Sequence, residues 1–177
     1  MPDPFPTFDE TTAPEPARAA LLGSKQKFGA IPKPLTHYAS SPLFLRQALG
    51  MLDAFEHSSL SPLEREVVAM TMGRVNGCTF CVATHRRLLA SLKAPPELVS
   101  ALVEGDALGD ARLEALRTFT LALLERRGAV DEQRLAAFLG AGFTHAQAFE
   151  TVLGVGTYTL TTFANRLIES SEEHLGG

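Results

Sequence analysis

Residues 61–92 read SPLEREVVAMTMGRVNGCTFCVATHRRLLASL, and no part of this stretch alternates apolar and polar residues as a half-buried strand would. Ser61 offers an N-cap, Pro62 stands at the first helical position and Glu64 completes a capping box. The helix opened there is predicted to run to about Val75, where Asn76-Gly77 breaks it. A second helix is predicted from near Cys78 to Ser91. The first is apolar around most of its circumference, through Leu63, Val67, Val68, Ala69, Met70, Met72 and Val75, as a buried helix is.

The same period continues outward in both directions. Glu15 to Phe28 carries Ala19, Ala20 and Leu22 and ends at Gly29. Pro34 to Ala39 has room for one short helical turn. Pro42 to Glu56 places Leu45, Leu49, Leu52 and Phe55 at steps of three and four. Beyond the central pair, helices are expected over Glu97–Glu104, Asp110–Arg127 and Asp131–Leu139, and from a Thr144 cap to Glu169. The expectation is an all-α, single-domain helical bundle over residues 15–177, with seven or eight helices and short loops. Residues 1–14 hold four of the eleven prolines and are read as an extended arm able to lie on a neighbour through Phe5 and Phe8. Gly154 and Gly156, among many threonines in the last helix, suit either a crowded core or the close approach of a second subunit.

Composition narrows the function. The chain has 177 residues, 45% hydrophobic and 20% charged, as a globular protein has. Its net charge is −4 and it has no basic stripe, so no nucleic-acid partner is expected. No run of apolar residues is long enough for a membrane span. Met1 to Glu10 has neither the basic nor the apolar region of a signal peptide, and a soluble, cytoplasmic protein is expected. Two cysteines, Cys78 and Cys81, cannot frame a secreted disulfide scaffold. At this spacing they point to redox chemistry or metal binding.

On a helical wheel Cys78, Cys81, Val82, His85, Leu88 and Leu89 share one apolar face, and Arg86 and Arg87 lie outside it. Cys81 then neighbours both Cys78 and His85. Glu66 sits within the buried helix and needs a partner, because an unpaired buried charge is expensive. His85 on the next helix is the nearest candidate. A free thiol has a pKa near ~8.5, so a base beside it is needed at neutral pH. His85 is placed to take the Cys81 proton, and Glu66 to hold the imidazole. Cys81 would attack and become a sulfenic acid, and Cys78 would condense with it to a disulfide that an outside thiol must reduce. The same four side chains could instead ligate zinc, although structural zinc sites usually draw ligands from separated turns. His37, His57, His145 and His174, with Tyr38 and Tyr158, show no pattern that supports a role.

The run Leu63-Glu64-Arg65-Glu66 through Asn76-Gly77-Cys78-Thr79-Phe80-Cys81-Val82-Ala83-Thr84-His85 resembles the alkylhydroperoxidase D and carboxymuconolactone decarboxylase superfamily, in its peroxidase-related branch. The shared pattern is a Glu, a Cys twelve residues on, then Cys-x-x-Cys-x-x-x-His. The resemblance implies an alkylhydroperoxidase D-like helical fold, assembly into homo-oligomers such as trimers or hexamers, and a peroxidase acting on organic hydroperoxides. It implies Cys81 as the peroxidatic and Cys78 as the resolving cysteine, with His85 and Glu66 as the proton relay. It further implies no metal or other cofactor beyond the redox-active disulfide, and a lipoyl or thioredoxin-like dithiol protein as reductant. The sequence departs from alkylhydroperoxidase D at Phe80, where that protein has a second histidine, a difference that bears on the proton route. Two other readings of the residues remain open. The pair could sense redox state or bind a partner without turnover, or Glu66 and His85 could do acid–base work on a small cyclic substrate.

Overall fold

The computed structural model describes the backbone of residues 5–175 and the side chains of residues 5–169. Among the described residues there are nine α-helices and no strand. They are α1 (Glu15–Phe28), α2 (Lys33–Tyr38), α3 (Pro42–Glu56), α4 (Pro62–Val75), α5 (Thr79–Ser91), α6 (Pro96–Glu104), α7 (Ala111–Glu125), α8 (Glu132–Gly140) and α9 (His145–Leu175). The helix beyond the expected seven or eight is α2. Its six residues are too few to display a period, and prolines 32 and 34 bracket its start. Helix α9 runs six residues past the expected end at Glu169, since neither glycine nor proline interrupts 157–175.

By its contacts the chain divides into two compact units, Met1–Leu52 with Ala164–Gly177, and Asp53–Phe163. In the first, the N-terminal segment is tied to its own chain. The Phe8 N–H donates to the Thr36 carbonyl at 3.0 Å, and His37 Nδ1 meets the Phe5 carbonyl at 2.7 Å. Asp9 turns the segment by accepting from the N–H and hydroxyl of both Thr11 and Thr12, which holds its carboxyl far below the usual range. Gly29, at φ 78°, ends α1 in the left-handed conformation that glycine tolerates.

The second unit is built on α4. Val67, Val68, Ala69, Met70 and Met72 are all fully buried, because α5, α6 and α7 pack around this helix and α8 packs on α7. Burial of each large side chain is worth about 1.5–3 kcal/mol. The capping box forms as expected. Glu64 N–H donates to Ser61 Oγ, and Ser61 N–H donates to Glu64 Oε2 at 2.8 Å. Glu64 Oε1 also accepts from Arg112 Nε at 2.8 Å. Arg112 in turn donates to the Ala141 carbonyl and lies over the Phe143 ring, which stacks on Phe138 and, through it, Phe119. One arginine thus ties the start of α4 to α7 and to the turn after α8. Within this unit Gly154 of α9 is buried, and a Cβ there would stand 2.6 Å from Phe55 Cε2. Gly156, by contrast, is exposed. Thr151, Thr157 and Thr161 of α9 donate their hydroxyls to carbonyls four residues earlier, which gives each buried hydroxyl an acceptor.

Candidate active site

The site is organised by the corner between α4 and α5. Gly77 adopts φ 66° and follows the Asn76 cap of α4. Gly77 N–H donates to the Arg74 carbonyl and Cys78 N–H to the Gly73 carbonyl, the bond pair of a Schellman motif. Asn76 Nδ2 donates to Thr162 Oγ1 of α9 at 2.8 Å, which fixes the corner from outside. Cys78 then caps α5, its Sγ accepting from Cys81 N–H at 3.2 Å. The expected start of α5 near Cys78 is therefore met one residue on, at Thr79.

Cys78 and Cys81 are joined in a disulfide. Cys78 is fully buried and Cys81 is 5% exposed. Close approach of α5 depends on Gly73, where a Cβ would stand 3.2 Å from Cys81 Cβ. One turn beyond Cys81, His85 Nδ1 lies 2.8 Å from Glu66 Oε2. The side chains are only 11% and 13% exposed, so each is the polar partner that the other's burial requires. All four expected residues therefore lie in one unit, as two bonded pairs on adjoining helices. The wheel holds for Cys81, His85 and Leu89, which are buried, but Leu88 is nearly half exposed. Arg86 and Arg87 are exposed. Among the described residues no three His, Cys, Asp or Glu side chains are grouped to hold a metal ion.

Two neighbours were not legible in the sequence. The Tyr158 ring stands nearly perpendicular to the His85 ring, at 5.2 Å between centroids. Phe55 stands perpendicular to Tyr158 in turn, at 5.8 Å. Burial, and secondarily the Glu66 carboxylate, push the Tyr158 hydroxyl well above its usual range, so it stays protonated. Tyr158 carries no local signal, because its partner is distant in sequence. Gly73 carried a weak one, since an isolated glycine inside a helical pattern often marks close approach. Of the other histidines, His37 is buried against the N-terminal segment, His57 and His145 are exposed, and the His174 side chain lies outside the described residues.

Residues 43–120 match the model of the carboxymuconolactone decarboxylase family, a span that contains the whole α4–α5 corner. Over that span the chain is similar to that family. Solved structures share the fold. One is an alkylhydroperoxidase D core from Ralstonia eutropha JMP134, described as an uncharacterised peroxidase-related protein. It is 22% identical, with a TM-score of 0.80 over 94% of this chain and 88% of that one. Another uncharacterised peroxidase-related protein, from Silicibacter sp. TM1040, is also 22% identical, with a TM-score of 0.77 over 96% and 88%. No curated protein sequence matches. The likeness to these two structures is one of fold. Among the described residues no helix is long and apolar enough to cross a membrane.

Proposed function

We propose that the protein is a thiol-dependent peroxidase that reduces organic hydroperoxides with the Cys78–Cys81 pair. The observation that carries this reading is the 2.8 Å contact of His85 Nδ1 with Glu66, one helical turn after Cys81. With Nδ1–H given to the carboxylate, Nε2 holds the lone pair and can act as base. In the reduced enzyme His85 takes the Cys81 proton. The thiolate attacks the terminal oxygen of ROOH, the O–O bond breaks, and the alkoxide leaves with the proton from His85 as ROH. Cys81 is now a sulfenic acid. The Cys78 thiol attacks it, forming the disulfide and releasing water.

An external dithiol, of the lipoyl or thioredoxin-like kind, closes the cycle. It attacks Cys81, the more exposed of the two residues, and Cys78 leaves as thiolate. The Cys81 N–H and the α5 N-terminus favour that negative charge, by about 0.3–1 kcal/mol for the dipole. The second thiol of the reductant then resolves the mixed disulfide, so the balance is ROOH plus dithiol to ROH, water and disulfide. No metal or other cofactor takes part in this scheme. Self-association into a trimer or hexamer belongs to the same reading, and Phe149, 78% exposed on α9, is apolar surface suited to it.

The test is thiol counting by mass spectrometry. Reduced protein is titrated with cumene hydroperoxide and then alkylated. Fast loss of both thiols, with a two-hydrogen mass decrease reversible by dithiol, is expected. Cys81→Ser should abolish turnover, and Cys78→Ser should leave a trappable sulfenic acid. Two thiols still alkylatable after excess peroxide would overturn the proposal and turn attention to acid–base chemistry by Glu66 and His85.

A further inference from the structure

A hydrogen bond at one nitrogen does not by itself fix an imidazole. The outer torsion of histidine is broad, and the ring can swing about its Nδ1–H···O axis or flip. Glu66 holds Nδ1 of His85. A second restraint on this ring is Tyr158, perpendicular to it at 81° and 8% exposed. Tyr158 is wedged in its turn by Phe55, at 89°. Phe55 can reach that place because residue 154, one turn before Tyr158, is glycine. From these contacts we infer that Tyr158 is a positioning residue for His85, its ring walling the imidazole so that Nδ1 stays on Glu66 and Nε2 stays free to serve as base. This inference rests on the peroxidase reading for its kinetic consequence, but not for its geometry. The Tyr158 hydroxyl stays protonated, so it adds no charge beside the pair. The inferred role therefore belongs to the ring and not to the hydroxyl.

The test compares Tyr158→Phe, which keeps the ring, with Tyr158→Leu, which keeps bulk but not the perpendicular face. Two readouts are taken. One is the tautomer and titration of His85, from long-range nitrogen–proton NMR correlations on reduced protein. The other is steady-state reduction of cumene hydroperoxide by dithiothreitol. Tyr158→Phe should retain the Nδ1–H tautomer and stay within about twofold of the parent rate. Tyr158→Leu should mix the two tautomers and lower kcat about ten- to a hundredfold with KM little changed, the scale expected for a misaligned catalytic group. Phe55→Leu, one shell further out, should move the same His85 signals part of the way and serves if Tyr158→Leu fails to fold. A parent-like tautomer in the leucine variants overturns the inference. So does a loss in Tyr158→Phe as large as in Tyr158→Leu. If the parent protein reduces no hydroperoxide, the peroxidase reading fails while the NMR comparison still decides the role of Tyr158.

Discussion

Gly73 makes room for Cys81: a Cβ on residue 73 would come within 3.2 Å of the Cys81 Cβ and 3.6 Å of the Val82 backbone nitrogen. The helix that carries Cys81 therefore lies against bare backbone of α4. Alanine would trade a gain in helix propensity, up to about 1 kcal/mol, against a small shift of α5. Leucine has no such escape. Gly73→Leu should lose about 1–3 kcal/mol by overpacking and should slow closure of the disulfide. Urea unfolding and the rate of thiol loss under peroxide check both parts. A variant with parent stability would show that α5 can withdraw freely.

Glu66→Gln keeps an oxygen for His85 Nδ1–H and removes the negative charge. Orientation should survive, while support for the imidazolium should not. The expected result is a fall in kcat of about ten- to a hundredfold, about 1.4–2.7 kcal/mol of transition-state stabilisation, with KM little changed. Steady-state kinetics with an organic hydroperoxide read it directly. An unchanged kcat would remove the Glu66 charge from the reaction.

Arg112 serves Glu64, the Ala141 carbonyl and the Phe143 ring at once. Glu64 is buried, whereas Arg112 is more than a third exposed. The full cost of a broken buried pair therefore does not apply. Arg112→Ala should cost about 1–3 kcal/mol, and Arg112→Lys should recover only part of it, because an ammonium can neither fork nor stack as guanidinium does. Denaturation midpoints of the two variants test this. A lysine variant as stable as the parent would assign the stabilisation to charge alone.

Glu114 sets a pH dependence. Burial pushes its carboxyl up, but hydrogen bonds from Arg117, the Leu108 N–H and Thr118 outweigh this and hold it below the ordinary 4.5. Its ionised form is thus favoured by folding. The contribution is complete above the unfolded pKa and is lost as pH falls through the folded one. Glu114→Gln should be less stable than the parent by about 1 kcal/mol near pH 7. The gap should narrow as the medium is acidified below about pH 4.5. Urea titrations at neutral and acid pH provide the check, and a gap independent of pH would count against the ionised carboxylate.

What could be read from the sequence follows from how far apart the partners are. Ser61 and Glu64 cap each other across three residues, and Gly77 breaks the chain where it stands. Cys81 and His85 lie on one helix that Cys78 caps, and Glu66 is on the helix just before it. All of these are local relationships that spacing encodes. Tyr158 and Phe55 reach the site from α9 and α3, and Arg112 reaches Glu64 from α7. No periodicity records such meetings, because they arise only when helices choose their neighbours. The exposure of Leu88 has the same origin. A wheel shows which residues share a face, but not how much of that face another helix covers.

The corner at residue 78 separates architecture from chemistry. The backbone N–H of Cys78 closes one helix and its sulfur opens the next, so a single position carries a folding duty besides the redox duty proposed for it. Only the second requires a thiol. Serine, aspartate or asparagine would cap α5 at least as well as sulfur does. Replacing the thiol at this position would therefore remove the proposed redox step while keeping the bend, and would leave the Glu66–His85 dyad in place.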